Sequence, residues 1–294
     1  MKYNSFIISI LVIGINSLIL GNSLSQYESN STNQIREGTA EDQFLIGLAT
    51  LRGNGMDKDP IRAGMWFRMA AERGHAGAQN ALASLYCDGN GISTNYNEAK
   101  SWFVKSAESG NSQAMCNIAR MYELGLGERA DIRKAIEWYQ QASDKGEPQA
   151  DLKLGEFYYF GDGGLPKDYK KSVYYFEKAS KQGIPASSNY LGVIYEEGYC
   201  DKADINKAAE YYKQSAKLGF LRAMTNLGRL YTIGQGLPKN ELFGIILMKY
   251  AVEKGDAPSL PILLEYSSMI SPNIVQRGYK EALDLIAKSE SPDL

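Results

Sequence analysis

The 294-residue chain holds a single histidine, His75, three cysteines and nine prolines, and its charges nearly cancel, with 32 Lys and Arg against 34 Asp and Glu. Each shortage removes a class of chemistry. One histidine excludes a His-rich metal site, and any Ser-His-Asp or Cys-His arrangement would have to use His75. Cys87, Cys116 and Cys200 form no CxxC pair. A net charge of −2 lacks the basic footprint of a nucleic-acid binder. No run of like charge suggests a membrane-surface or acidic-tail contact. A Gly-x4-Gly-Lys-Ser/Thr phosphate loop is also missing.

Long apolar runs are scarce too. The one that stands out, Phe6 to Leu20, follows Lys2 and precedes Gly21-Asn22-Ser23. Interrupted by Ser9, Gly14, Asn16 and Ser17, it falls short of the ~20 apolar residues a spanning helix needs. The layout is that of a secretory signal peptide over residues 1–25, cut between Ser23 and Gln26. The expectation is an exported protein, periplasmic or secreted, with no stable membrane insertion after cleavage. No cysteine precedes Cys87 to carry a lipid. Residues 26–38, rich in Ser, Asn and Gln, read as a disordered leader that carries one sequon at Asn30.

What the chain does have is a repeat. Gly74, Gly110, Gly146, Gly183, Gly219 and Gly255 follow one another at steps of 36, 36, 37, 36 and 36 residues. A fixed period in the thirties marks a stack of helix pairs. In the copy from Ala78 to Gly110, Ala78, Leu82, Ala83, Leu85 and Tyr86 share one helical face. Gly89 and Gly91 end that helix, Asn95 caps the next, and Ala99, Trp102, Phe103, Ser106 and Ala107 form its packed stripe. The other copies repeat these positions, with Asp59, Asp131, Asp168, Asp204 and Asn240 in place of Asn95. Those aspartates resemble a cation ladder, but Asp is also a good N-cap at the positive end of a helix dipole, and that reading is taken. The series Trp66, Trp102, Trp138, Tyr175 and Tyr211 reads as core, as does Tyr158, whereas His75 reads as a solvated helix start.

The pattern of a small residue, Leu-Gly, Tyr, Gly-x-Gly, then Asp, Ala, Trp/Tyr-Tyr, Ala and Gly closely resembles the Sel-1-like repeat family, a relative of the tetratricopeptide repeat. The resemblance covers roughly residues 38 to 290. It implies an all-α fold, a right-handed α-α superhelix (solenoid) of six to seven helix pairs. Residues 39–257 hold six repeats, and residues 258–294 form a degenerate seventh with a C-terminal cap. Ser267 stands there where the aromatic belongs. Stacked first helices run parallel, so Cys87 and Cys116 should lie beyond the ~7 Å bridging limit and remain thiols.

The resemblance further implies a non-catalytic scaffold or adaptor that binds another protein, without a cofactor, metal site or catalytic residue. If first helices line the inner curve, the partner-facing residues are Arg120, Glu123, Leu124, Leu152, Glu156, Tyr159, Phe160, Asn189, Val193, Glu196 and Arg229. Leu124, Leu152, Tyr159 and Phe160 are large apolar groups outside the template. They form a contact surface, or they pack locally against the neighbouring turn. Three other functions stand beside the scaffold: a periplasmic immunity protein that blocks a secreted toxic enzyme, a cell-wall or β-lactam hydrolase, and a polysaccharide binder using tyrosine rings.

Overall fold

The computed structural model describes residues 38–54 and 57–289, and every regular element there is helical. The signal peptide, the sequon and nearly all of the leader lie outside the described residues. Six hairpins of 13-residue helices come first: α1 Ala40–Arg52 with α2 Pro60–Glu72, α3 Ala76–Asp88 with α4 Tyr96–Glu108, α5 Ser112–Leu124 with α6 Ile132–Asp144, α7 Pro148–Phe160 with α8 Tyr169–Lys181, α9 Pro185–Glu197 with α10 Ile205–Lys217, and α11 Leu221–Ile233 with α12 Glu241–Glu253. A shortened α13, Leu260–Ser268, and a longer α14, Pro272–Ser289, follow. The chain divides into two compact units, residues 1–147 with α1–α6 and residues 148–294 with α7–α14.

The spacing of the sequence produces these hairpins through two local devices. Each second helix begins at a side-chain cap: Asp59, Asn95, Asp131, Asp168, Asp204 and Asn240 accept the amide three residues on, at 3.0–3.1 Å. The cap reading of the aspartates therefore holds. The cap residue's own amide donates back to the carbonyl near the end of the first helix. Asp131 reaches Tyr122 at 2.9 Å, Asp168 reaches Tyr158 at 2.8 Å, and Asp204 reaches Tyr195 at 2.8 Å. The same bond recurs in the other three pairs, to Thr50, Tyr86 and Tyr231. Five of the six loops share one length, while the α7–α8 loop carries one more residue and a 3-10 turn at Asp162–Gly164 yet makes the same cap bond. Gly89, in the left-handed region at φ 66°, shows how the first turn is made.

Packing across five of the six hairpins is a ring on a small residue, and in the sixth Met248 takes the ring's place beside Gly228. A Cβ at Gly155 would lie 2.5 Å from the Phe176 ring, and one at Gly192 would lie 2.4 Å from Tyr212. Only glycine lets the rings seat that close. The second aromatic of each pair is therefore the core: Phe67, Phe103, Tyr139, Phe176 and Tyr212 are buried. The first aromatic departs from the sequence expectation. Trp102 is buried, but Trp66, Trp138, Tyr175 and Tyr211 are half-buried. Tyr158 is also half-buried, stacked flat on Tyr175 at 5.8 Å with the Lys171 ammonium 5.0 Å from its ring centre. A 3.6-residue period puts two adjacent aromatics about 100° apart, so only one can point at the partner helix.

Phe176→Ala should cost about 3–5 kcal/mol through the cavity it leaves. Tyr158→Ala should cost about 1–2 kcal/mol, because half the ring is already in water and a stacking pair is lost. Urea unfolding checks the order; equal losses would place Tyr158 in the core.

Candidate functional site

The carbonyl that receives the cap amide gives a register for comparing first helices. One residue beyond it stand Leu51, Cys87, Glu123, Tyr159, Glu196 and Thr232. This position faces the second aromatic of its own hairpin. The Tyr139 hydroxyl donates to Glu123 at 2.7 Å and the Tyr212 hydroxyl donates to Glu196 at 2.8 Å. Where the core ring is Phe176, the position holds a ring instead, Tyr159, with centroids 6.4 Å apart. A buried phenol needs an acceptor and a phenyl does not, so the residue type follows the ring it faces.

Several residues expected on the partner-facing surface are thereby committed to the structure. Glu123 and Glu196 serve tyrosines, and Glu196 also pairs with Arg229. Asn189 is buried and accepts from the Asn226 side chain at 3.0 Å. Leu152 and Val193 are partly buried against apolar clusters. Glu156 pairs with Lys153 at 3.3 Å and accepts from the Tyr190 hydroxyl. Tyr159, expected as free surface, is packed. The next position, expected on the same face, is open: Leu124 is 54% exposed and Phe160 47%. Arg120 is exposed as well.

In the second unit these substitutions build an aromatic cluster that no template position requires. Tyr159 is its hub, 4.9 Å from Phe160, 5.6 Å from Tyr169, 5.4 Å from Tyr190 and 6.1 Å from Tyr199. Tyr169 and Tyr199 stack at 4.6 Å, and Tyr190 stacks on buried Phe176 at 4.7 Å. The end of α7, the start of α8, the middle of α9 and the loop after α9 supply the rings. That loop keeps Gly198 but has Cys200 where the second glycine of Gly-x-Gly belongs, and Tyr199 between them lies against the cluster. Phe160 and Tyr199, 47% and 41% exposed, form its outer edge. Burial, with Tyr199 and Tyr169 beside it, pushes the Tyr159 phenol up to about 12. Burial and Glu156 do the same to Tyr190, also to about 12. The periodicity signalled Phe160 but not Tyr169, Tyr190 or Tyr199. Their only sequence signal is tyrosine at positions where the other repeats vary.

The reactive side chains have structural tasks. His75 is more than a solvated helix start: its Nδ1 accepts the Ala78 amide at 3.0 Å and its Nε2 lies 2.7 Å from Glu41, so it caps α3. The three cysteines form no disulfide. Burial, with Asp88 nearby, raises the Cys87 thiol to about 11, so it stays protonated near neutral pH and is a poor nucleophile. Fully buried Asp151 is held by Lys178 at 2.8 Å. Among the described residues no three His, Cys, Asp or Glu side chains are grouped to hold a metal ion. No described helix is long and apolar enough to cross a membrane.

Comparison with protein-family models gives six matches to the Sel1 repeat, at residues 40–75, 76–111, 112–147, 148–184, 185–220 and 221–256. The chain belongs to the Sel1 repeat family. Its helix pairs coincide with these repeats, and the all-α repeat fold is the one expected from the template. The seventh pair, α13 and α14, lies beyond the matched repeats. Among solved structures, a protective antigen present in uropathogenic Escherichia coli strains and displaying an SLR fold is similar over 98% of this chain, at 27% identity and TM-score 0.71. The chain spans 62% of that protein's length. A Sel1 repeat protein from Oxalobacter formigenes is 30% identical with TM-score 0.69, covering 74% of this chain and 88% of that one. An immunity protein from Pseudomonas aeruginosa, at 20% identity and TM-score 0.49, is too distant to inform the function of this Sel1 repeat chain. No curated protein matches.

The phenols predict a pH response. Burial, and then the acidic neighbour, pushes Tyr139 and Tyr212 well above the ordinary tyrosine value, in the same direction as Tyr159 and Tyr190. A raised folded-state pKa contributes stability that is complete below the unfolded pKa near 10 and is lost as pH rises above it. The urea midpoint should fall steeply from pH 10 to 12, and less steeply in Tyr212→Phe. An unchanged slope in that variant would show that the phenol is not shielded.

Proposed function

We propose that this Sel1 repeat protein is an exported, non-catalytic scaffold that binds another protein through the aromatic edge of its second unit. The observation that carries the proposal is the pair Phe160 and Tyr199. Both are large apolar rings held in place by a packed cluster and left open to water on one side. Immobilised aromatic groups of this kind lose little conformational entropy on binding and dominate interface energetics. The Sel1 fold suits the task, since each hairpin is rigidly capped and the residue after the cap-accepting carbonyl's neighbour is free to vary. Export rests on the signal-like segment at residues 1–25.

A polysaccharide ligand fits the cluster less well. Sugar rings stack on open aromatic faces, whereas Tyr169 and Tyr199 present their faces to each other, and the Tyr190 face lies on Phe176. The exposed parts of Phe160 and Tyr199 suit the side chains of a protein partner. A hydrolase would need an activated nucleophile, and neither the raised Cys87 thiol nor the capping His75 offers one.

Affinity capture from periplasmic and extracellular extract, followed by calorimetry with the captured protein, tests the proposal. Phe160→Ala with Tyr199→Ala should weaken binding at least about ten-fold while lowering the urea midpoint less than Phe176→Ala does. Tyr159→Ala should instead lower stability. Equal affinity for the double variant and the parent would remove this edge from the interface.

A further inference from the structure

The six repeats serve as controls for one another on the outward side of their second helices. Three positions of this side, taken in register, read Asn97, Ser101 and Lys105 in α4; Arg133, Glu137 and Gln141 in α6; Lys170, Tyr174 and Lys178 in α8; and Asn206, Glu210 and Gln214 in α10. All are polar or, in Tyr174, amphipathic. The two outlying second helices break the rule in the same way. In α12 the positions hold Leu242, Ile246 and Tyr250, and in α2 they hold Ile61, Met65 and Met69.

The α12 stripe is covered. The α14 helix packs along α12, with Gly278 so close that a Cβ there would lie 2.6 Å from Ile245, and with Tyr279 4.8 Å from the Lys249 ammonium. Ile246 is consequently buried, whereas its counterparts Ser101, Glu137, Tyr174 and Glu210 are exposed. The α2 stripe is open. Ile61 is 58% exposed and Met65 62%. With Gly64, Arg68, Met69 and Ile92 they line an apolar groove of about 580 Å³. Its Gly64 and Arg68 are the register counterparts of Ile245 and Lys249, the residues that α14 touches on α12.

We infer that the α2 groove is a docking seat for an amphipathic helix of another protein, one whose apolar stripe is edged by Asp and Glu. The helical form follows from α14, which occupies the corresponding seat on α12. The acidic edge follows from charge: exposed Arg62 and Arg68, the latter also donating to the Tyr86 hydroxyl, flank the stripe, while at the ends of α2 Lys58 and Arg73 are offset by Asp57, Asp59 and Glu72. A second copy of this chain laid stripe to stripe would set these arginines against each other, which disfavours self-association. The leader of the same chain is too polar, since residues 26–37 offer only Tyr27 and Ile35 as large apolar groups. Two methionines in the stripe suit the task, because flexible thioether side chains repack around different apolar partners. This seat lies in the first unit and does not depend on the aromatic edge of the second.

The test uses three synthetic 18-residue peptides on the full chain, followed by fluorescence anisotropy: a Leu stripe at helical spacing with Glu edges, the same stripe with Lys edges, and a scrambled Glu peptide. The Glu-edged peptide should bind saturably, the other two at least about ten-fold more weakly, and salt should reduce its affinity. Met65→Glu, at an exposed position, should abolish the binding and leave the urea midpoint unchanged, whereas Phe160→Ala should leave the binding intact. Equal binding of the Glu-edged and scrambled peptides, or binding indifferent to Met65→Glu, would overturn the inference. So would concentration-dependent dimerisation, or capture of vesicles containing anionic lipid, lost in Met65→Glu; these would assign the stripe to a second copy or to a lipid surface.

Discussion

Phe176 approaches Gly155 so closely that a Cβ there would come within 2.5 Å of the ring, and Phe67 makes the same approach to Gly47. This seat sets the distance between the two helices of a hairpin. At that distance the cap amide can reach the first helix's carbonyl at 2.8–3.0 Å, which fixes the loop and, with it, the repeat length. A bulky residue in place of the glycine would force the helices apart and break both contacts. When the seated ring is tyrosine, its hydroxyl passes beyond the small residue and must find an acceptor in a desolvated place. Glu123 and Glu196 occupy that place. Part of what resembles a variable, acidic surface is thus a consequence of which ring fills the core.

Function is left to positions that the ring and the cap do not claim. In the first helices this is the residue after the ring-facing one, filled by Leu124 in one hairpin and Phe160 in another. Around Phe160 the demands of structure and of the proposed binding meet. Tyr159 covers Phe176, Tyr190 stacks on the same ring, and Tyr199 stacks on Tyr169. The inner rings hold the outer ones still, so the exposed edge is preorganised. Rigidity here comes from the core of two hairpins and needs no extra element.

The period and the caps of the second helices were legible in the sequence, because each rests on residues whose chemistry has one use in that place: Asp before a helix, Gly after one, small residues on a shared face. The site was legible only in part. Tyr158 and Tyr159 are adjacent and identical in type, so hydropathy cannot say which turns inward. The answer depends on Phe176, seventeen residues after Tyr159, lacking a hydroxyl. His75 as a cap was hidden for a related reason, since imidazole is not among the usual capping groups, although its Nδ1 lies where the Asn111 side chain serves α5. The aromatic cluster was hidden because its members come from α7, α8, α9 and a loop that lacks its second glycine.

A repeated chain carries its own reference state. The same helix pair and cap recur six times and the core ring five, so a side chain that departs from its register is free of the usual ambiguity about local structure. Leu242 and Ile246 depart towards the apolar and are sheltered by α14, which recovers the free energy of removing them from water. Ile61 and Met65 depart in the same direction without such shelter among the described residues. Two exposed apolar residues mean little by themselves on any surface. Here the departure recurs as a stripe of three, at the very register where the same chain shows what such a stripe is for, and that recurrence makes the open groove a question about a partner and not about noise in composition.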